Sequence, residues 1–175
     1  MYYSTYLQSP IGELLLVSNS HSLIGVWLSG QKYFARNLSS SPITNDNCTI
    51  LQNTKQLLNQ YFKNQQPNFN SLPLAPQGTD FQKAVWEMLL AIPYGRITTY
   101  GNIAKHLAQK LNKPQLSAQA VGNAIAHNPI SIIIPCHRVL SAKGEMAGYA
   151  GGIANKQYLL QLEGINLKQP LLHIN

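Results

Sequence analysis

The run Ile130-Ser131-Ile132-Ile133-Ile134 leads directly into Pro135-Cys136-His137-Arg138-Val139. An apolar stretch this dense reads as a core segment, so the residues after it are expected to be delivered by a rigid element rather than a mobile loop. Those residues include a thiol and an imidazole. A histidine beside a cysteine can raise the thiolate fraction, and the thiolate is the nucleophilic form. The expectation is a Cys136 pKa depressed by His137 and a nearby helix end, with Cys48 an ordinary thiol. Neighbouring side chains of an extended segment point to opposite sides. A bound water, or a tight turn after Pro135, would therefore have to connect Cys136 with His137. For the dipeptide alone, an inert buried cysteine beside a hydrogen-bonded histidine is the competing reading.

The chain ahead of this run divides in two, and the fold class expected is α+β. Residues 1–77 read as a small α/β module with its linker. Met1 to Leu7, Glu13 to Ser18 and Ser22 to Leu28 are β-prone, separated by the turn signals Ser9-Pro10-Ile11-Gly12 and Asn19-Ser20-His21. Ile50, Leu51, Leu57, Leu58 and Tyr61 then recur at helical spacing. The polar stretch 64–77, with Pro67, Pro73 and Pro76, reads as the linker.

Residues 78–175 read as a mainly helical domain. Thr79-Asp80-Phe81-Gln82 fits a capping box, and Phe81, Val85, Trp86, Leu89 and Leu90 continue it as an apolar stripe to about Ala91. Ile92-Pro93-Tyr94-Gly95 breaks that helix. Thr98 or Thr99 can cap a second, with Ile103, Ala104 and Leu107, ended by Asn112-Lys113-Pro114. Ser117 can cap a third over Ala118 to Ala126. Two short helices joined by a turn form the pattern of a helix-turn-helix. The charge agrees: residues 80–175 hold nine Lys/Arg against four Asp/Glu, most of the chain's net +7. A basic domain is the electrostatic footprint expected for a polyanion such as DNA.

Composition excludes other classes. No long uncharged apolar stretch is present, so no membrane span is expected, and the N-terminus lacks the basic-then-apolar pattern of a secretory signal. Two cysteines suit a reducing cytosol and cannot build a four-cysteine zinc site; no metal is expected. A thiol-redox protein would normally keep a second cysteine nearby, and nothing marks the oxyanion hole that a cysteine hydrolase needs.

The motif set is more specific than any of these patterns. Gly78-Thr79-Asp80-Phe81-Gln82, Val85-Trp86, Ile92-Pro93-Tyr94-Gly95, Thr98-Thr99-Tyr100-Gly101, Asn128-Pro129, Pro135-Cys136-His137-Arg138-Val139, Gly148-Tyr149-Ala150-Gly151-Gly152 and Glu163-Gly164 together resemble the O6-alkylguanine-DNA alkyltransferases. The likeness is dense from Gly78 to Gly164; before that it is one of size and strand pattern. It implies a ribonuclease H-like N-terminal module and a one-shot repair reaction without a cofactor. The partner it implies is double-stranded DNA carrying O6-alkylguanine, met in the minor groove by a monomeric, cytoplasmic protein. By resemblance Cys136 is the alkyl acceptor, His137 a water-mediated base and Glu163 its orienting acid. Asn128 ties the recognition helix to the active-site turn, and Tyr100 donates a proton to the departing guanine. Ile125, Val139, Tyr149 and Ala150 would contact the flipped base. Gln82, Ser117, Ala118, Gln119 and Gly122 would meet the DNA. One departure stands out: where the family carries an arginine that fills the vacated stack, this chain has Gln119, after a connection that is a few residues longer than usual.

Overall fold

The computed structural model describes residues 1–36 and 38–172. They form two compact units. One comprises Met1–Gln77 together with Pro129–Ile133; the other comprises Gly78–Asn128 and the residues from Ile134 onward. The sequence reading gives the whole of 78–175 to one domain, so the five-residue excursion into the first unit is new.

The first unit is a four-stranded sheet with one helix. Strands β1 (Tyr3–Ser9), β2 (Gly12–Ser18) and β3 (Leu23–Leu28) are an antiparallel meander, and the two-residue β4 (Ile43–Thr44) runs parallel to β1 at the edge, giving the order β3-β2-β1-β4. The expected turn after β1 forms, with Ser9 opposite Gly12 and the Ser9 hydroxyl donating to the Gly12 carbonyl at 2.6 Å. Gly12 sits at φ 114°, a conformation that glycine adopts without a Cβ penalty. One face buries Leu15, Val17, Ile24 and Trp27 as a cluster. Helix α1 (Thr49–Phe62) packs on β1 and β2 through Leu51, Leu58 and Tyr61. Cys48 is the residue before α1, half-buried, with its sulfur 3.2 Å from the Ser18 hydroxyl.

Two expectations change within this unit. The stretch 64–77 is not a free linker: Phe69–Ser71 forms a 3-10 turn, Leu72 is buried, and Leu74 bridges Leu23 of β3. The Ile-rich run is buried as expected, yet it is not extended throughout. Only Ile130 pairs, with Val26, through hydrogen bonds from Val26 to Pro129 and from Ser131 to Val26. The chain then turns, with Ile132 at φ 72°. A β-branched residue in the left-handed region costs on the order of 1–3 kcal/mol and persists only where its surroundings enforce it. Its side chain is 1% exposed, so burial supplies the constraint.

The second unit is built on helices α2 (Asp80–Leu90), α3 (Tyr100–Lys110) and α4 (Ala118–Ala126), which pack on one another, and on α5 (Ile153–Leu162). The capping box forms in both directions, Gln82 N to the Thr79 hydroxyl and Thr79 N to the Gln82 side-chain oxygen Oε1. Thr99 caps α3 and Ser117 caps α4. Trp86 of α2 donates its indole N–H to Ala124 O of α4 at 2.9 Å, and its ring lies so close to Gly78 that a Cβ there would stand 2.5 Å from it. A short parallel pair, β5 (Thr98–Thr99) with β6 (Val139–Leu140), anchors the start of α3 beside the segment that comes after Cys136. Among the described residues no helix is long and apolar enough to cross a membrane.

Candidate active site

Cys136–Arg138 form a 3-10 turn between Pro135 and β6, so the tight turn rather than an extended segment sets the thiol and the imidazole. The turn is fastened by Cys136 N to Ile134 O at 2.8 Å and Arg138 N to Pro135 O at 3.0 Å. Asn128, just past the end of α4, is 4% exposed and donates its side-chain amide to Ile134 O at 2.8 Å and to the Cys136 sulfur at 3.2 Å. Its backbone N–H donates to Ile125 O at 3.1 Å, so one residue ties the last turn of α4 to the thiol.

Behind the thiol lies a buried polar network. His137 Nε2 is 2.6 Å from Glu163 Oε1. Arg138 grips the same carboxylate with two nitrogens, Nε to Oε2 at 2.8 Å and Nη2 to Oε1 at 3.0 Å, and gives Nη1 to Ile92 O at 2.6 Å. Gly95 N adds a donor to Oε2 at 3.2 Å. Burial pushes the Glu163 carboxyl up, but His137 and then Arg138 outweigh it and hold the group at about 2. Burial lowers His137, against the hydrogen bond and charge of Glu163. With Glu163 ionised, Nε2 carries the proton it donates, which makes Nδ1 the basic nitrogen of the ring.

The thiol itself corrects an expectation. Burial raises the Cys136 pKa; the Asn128 amide and the charge of Lys156 pull it back without cancelling that effect. A histidine next in sequence is not enough to depress a thiol at 6% exposure. Tyr100, the first residue of α3, has its phenol pushed up to about 12, by burial and by the charge of Cys136, and donates it to Ala147 O at 2.6 Å. The Tyr149 phenol is likewise driven upward by burial and by Cys136 and Glu163. Val139 and Ile125 are buried, Tyr149 and Ala150 half-buried. Cys136, His137, Glu163, Asn128, Tyr100 and Tyr149 therefore interact, directly or through their charges.

The residues expected at DNA form a second group. Ser117, Ala118 and Gln119 are exposed at the first turn of α4, where the Ser117 hydroxyl accepts from Gln119 N at 3.1 Å and Ala120 N at 3.4 Å. Ser117, Gln119, Ala120 and Asn123 line an open depression of about 530 Å³. Half-buried Gly122 faces the Tyr100 ring, with space for a Cβ at 3.6 Å. Gln82 is engaged in its capping box.

Sequence reasoning missed Arg138 and Lys156. Arg138 stood inside the recognised motif, and its cue was a buried run that needs a partner for any charge it carries. Lys156 gave no cue at all, because lysines on helices are usually solvated. Among the described residues no cluster of His, Cys, Asp and Glu could hold a metal ion.

The chain matches known proteins over nearly its whole length. Residues 80–165 match the family described as 6-O-methylguanine DNA methyltransferase, DNA binding domain, and residues 1–76 match its ribonuclease-like domain. A methylated-DNA–protein-cysteine methyltransferase of Haemophilus influenzae is 38% identical, covering 93% of this chain and 87% of its own. One of Methanosarcina acetivorans is 41% identical over 94% and 99%. Among solved structures, Mycobacterium tuberculosis OGT in complex with DNA superposes with a TM-score of 0.78 at 37% identity, covering 93% of this chain and 91% of that one. An O6-methylguanine DNA methyltransferase of Methanococcus jannaschii gives 0.62 at 27% identity, with 93% and 94% covered. Two domain matches in register and full-length relatives near 40% identity place this chain in the 6-O-methylguanine DNA methyltransferase family.

Proposed function

We propose that this protein repairs alkylated DNA by direct reversal, moving the alkyl group of O6-alkylguanine onto its own Cys136 and acting once. The observation that carries the reading is the single buried thiol fixed by Asn128 at the end of α4 and backed by His137 and Glu163. A nucleophile, a base and an orienting acid stand in that order.

A base inside a duplex is out of reach of a sulfur in a protein core, so the target nucleotide has to be flipped, at a few kcal/mol. The partner is double-stranded DNA, approached through the minor groove by α4, with Gln119 in the position to fill the vacated stack. Ser117, Ala118, Gly122 and Gln82 complete the contact. Minor-groove information is degenerate, which suits a protein that must inspect any sequence. Val139, Tyr149 and Ala150 hold the flipped guanine and Ile125 packs on it.

In the reaction the thiol proton passes through a water to His137, whose positive form Glu163 stabilises. The sulfur attacks the alkyl carbon, the S–C bond forms and the C–O6 bond breaks. Tyr100, kept protonated far above neutrality, gives its proton to the leaving guanine and is refilled by the proton taken from the thiol, so that no anion is left in a low-dielectric pocket. A thioether is a poor leaving group, so the protein is not regenerated. The alkyl donor is the DNA itself, and no cofactor enters. The protein works as a monomer in the cytoplasm, where the thiol stays reduced.

The test is mass spectrometry after incubation with a duplex containing O6-methylguanine. One methyl group should appear per protein, mapped to Cys136, without any added cofactor. Repeated turnover, methylation of Cys48, or binding without transfer would each refute the mechanism.

A further inference from the structure

Lys156 is a cation where cations are costly. It lies on α5 with no exposed surface, and its ammonium reaches backbone carbonyls, Val139 O at 2.6 Å and Gly148 O at 3.2 Å. It stands 6.0 Å from the centre of the Tyr100 ring. A buried charge is normally matched by an opposite one. No carboxylate forms an ion pair with Lys156 among the described residues, and Glu163, at the end of the same helix, is held by Arg138 and His137.

The reacting thiol opens the 3-10 turn that ends at Val139, whose carbonyl the buried ammonium holds. Burial pulls the amine down to about 8, and the charge that acts in the opposite direction is that of Cys136. The effect is mutual, since Lys156 draws the thiol pKa down against its own burial. The other groups acting on the sulfur are the neutral Asn128 amide and backbone N–H groups of its own turn, and Tyr100 and Tyr149 respond to its charge. Arg138, on the same turn, already balances the negative charge of Glu163, to which neutral His137 donates a hydrogen bond.

We propose that Lys156 is the counter-charge of the Cys136 thiolate, a positioning residue that favours the anionic nucleophile and staples the backbone at Val139 and Gly148 around it. The inference rests on the alkyl-acceptor reading of Cys136. The proton balance is simple: the thiol proton leaves by way of His137, and the lysine keeps its own. Once the sulfur becomes a thioether, the buried ammonium has lost its anion and should be easier to deprotonate.

Thiol titration with iodoacetamide, in a Cys48→Ser background, tests the inference without DNA, so its failure would leave methyl transfer standing and the reverse holds equally. Lys156→Met should raise the midpoint of Cys136 alkylation by at least about one unit, about ten-fold slower at neutral pH, with the same limiting rate at high pH. Lys156→Arg should recover most of that loss. A Met variant that melts like the parent and keeps its midpoint would reduce Lys156 to a backbone staple and overturn the proposal. Should the Met variant not fold, the unmodified lysine decides alone. The Lys156 side-chain resonance, followed by NMR against pH, should titrate at lower pH after iodoacetamide has capped Cys136, and an unmoved titration would overturn the proposal.

Discussion

Glu163 receives two nitrogens of Arg138, one of His137 and the amide of Gly95, all within 3.2 Å. Removing its charge would leave the Arg138 guanidinium buried without its anion, and breaking a buried pair from one side costs about 3–5 kcal/mol. Glu163→Gln should therefore lower stability by that order, read from the urea midpoint, and slow alkyl transfer as well, because His137 loses its orienting charge. The pH dependence comes from the same group. Its folded pKa, about 2, lies below the unfolded carboxylate value of about 4.3. Its contribution is complete above the unfolded value and is lost as pH falls through the folded one. Acid unfolding of the parent should steepen between about pH 4 and pH 2, and Glu163→Gln should flatten that limb. At this scale the sequence was only partly legible. Cys136, His137 and Glu163 could be named through the motif, but the rise in the thiol pKa could not, because burial is a tertiary fact that a dipeptide does not carry.

Among the elements, α2, α3 and α4 were legible because each announces its start with a side chain: Thr79 with Gln82, Thr99, and Ser117 all cap as their positions suggested. Helix α5 was not. Its buried set is Lys156, Leu159 and Leu160, so the apolar stripe is interrupted by a lysine and the period is lost. The Ile-rich run was legible as core but its path was not, since Ile132 turns the chain at a positive φ that composition does not encode. Helix α4 carries the departure with the clearest consequence. Gln119 is exposed in its first turn and uncharged, at the position that the proposed function assigns to the vacated stack. Gln119→Arg should tighten duplex binding and speed repair, since a charge-assisted hydrogen bond is worth roughly 1–2 kcal/mol more than a neutral one and ~1.4 kcal/mol is tenfold in rate. A cation at a helix N-terminus opposes the macrodipole, so the variant should lose about 0.3–1 kcal/mol of stability. The reaction with free O6-benzylguanine needs no flipping and should change little. Equal acceleration of both reactions would place residue 119 in the pocket rather than at the stack.

For the molecule as a whole, the chain's route through its two units matters more than the boundary near Gly78. Residues 129–133 leave the helical unit after Asn128, pair with Val26 of β3, and re-enter as Ile134 just before the reactive turn. Ile130, Ile132 and Ile133 are each at most 4% exposed. A fragment beginning at Gly78 would still contain every residue assigned to chemistry. It would also carry an isoleucine-rich segment stripped of its strand partner, the composition from which intermolecular sheets grow. Such a fragment should elute as soluble oligomers or precipitate, bind a hydrophobic dye, and lose alkyl transfer, whereas the full chain stays monodisperse by light scattering. The sheet of the first unit would then act as an intramolecular chaperone, sequestering the stickiest stretch of the chain that follows Gly78.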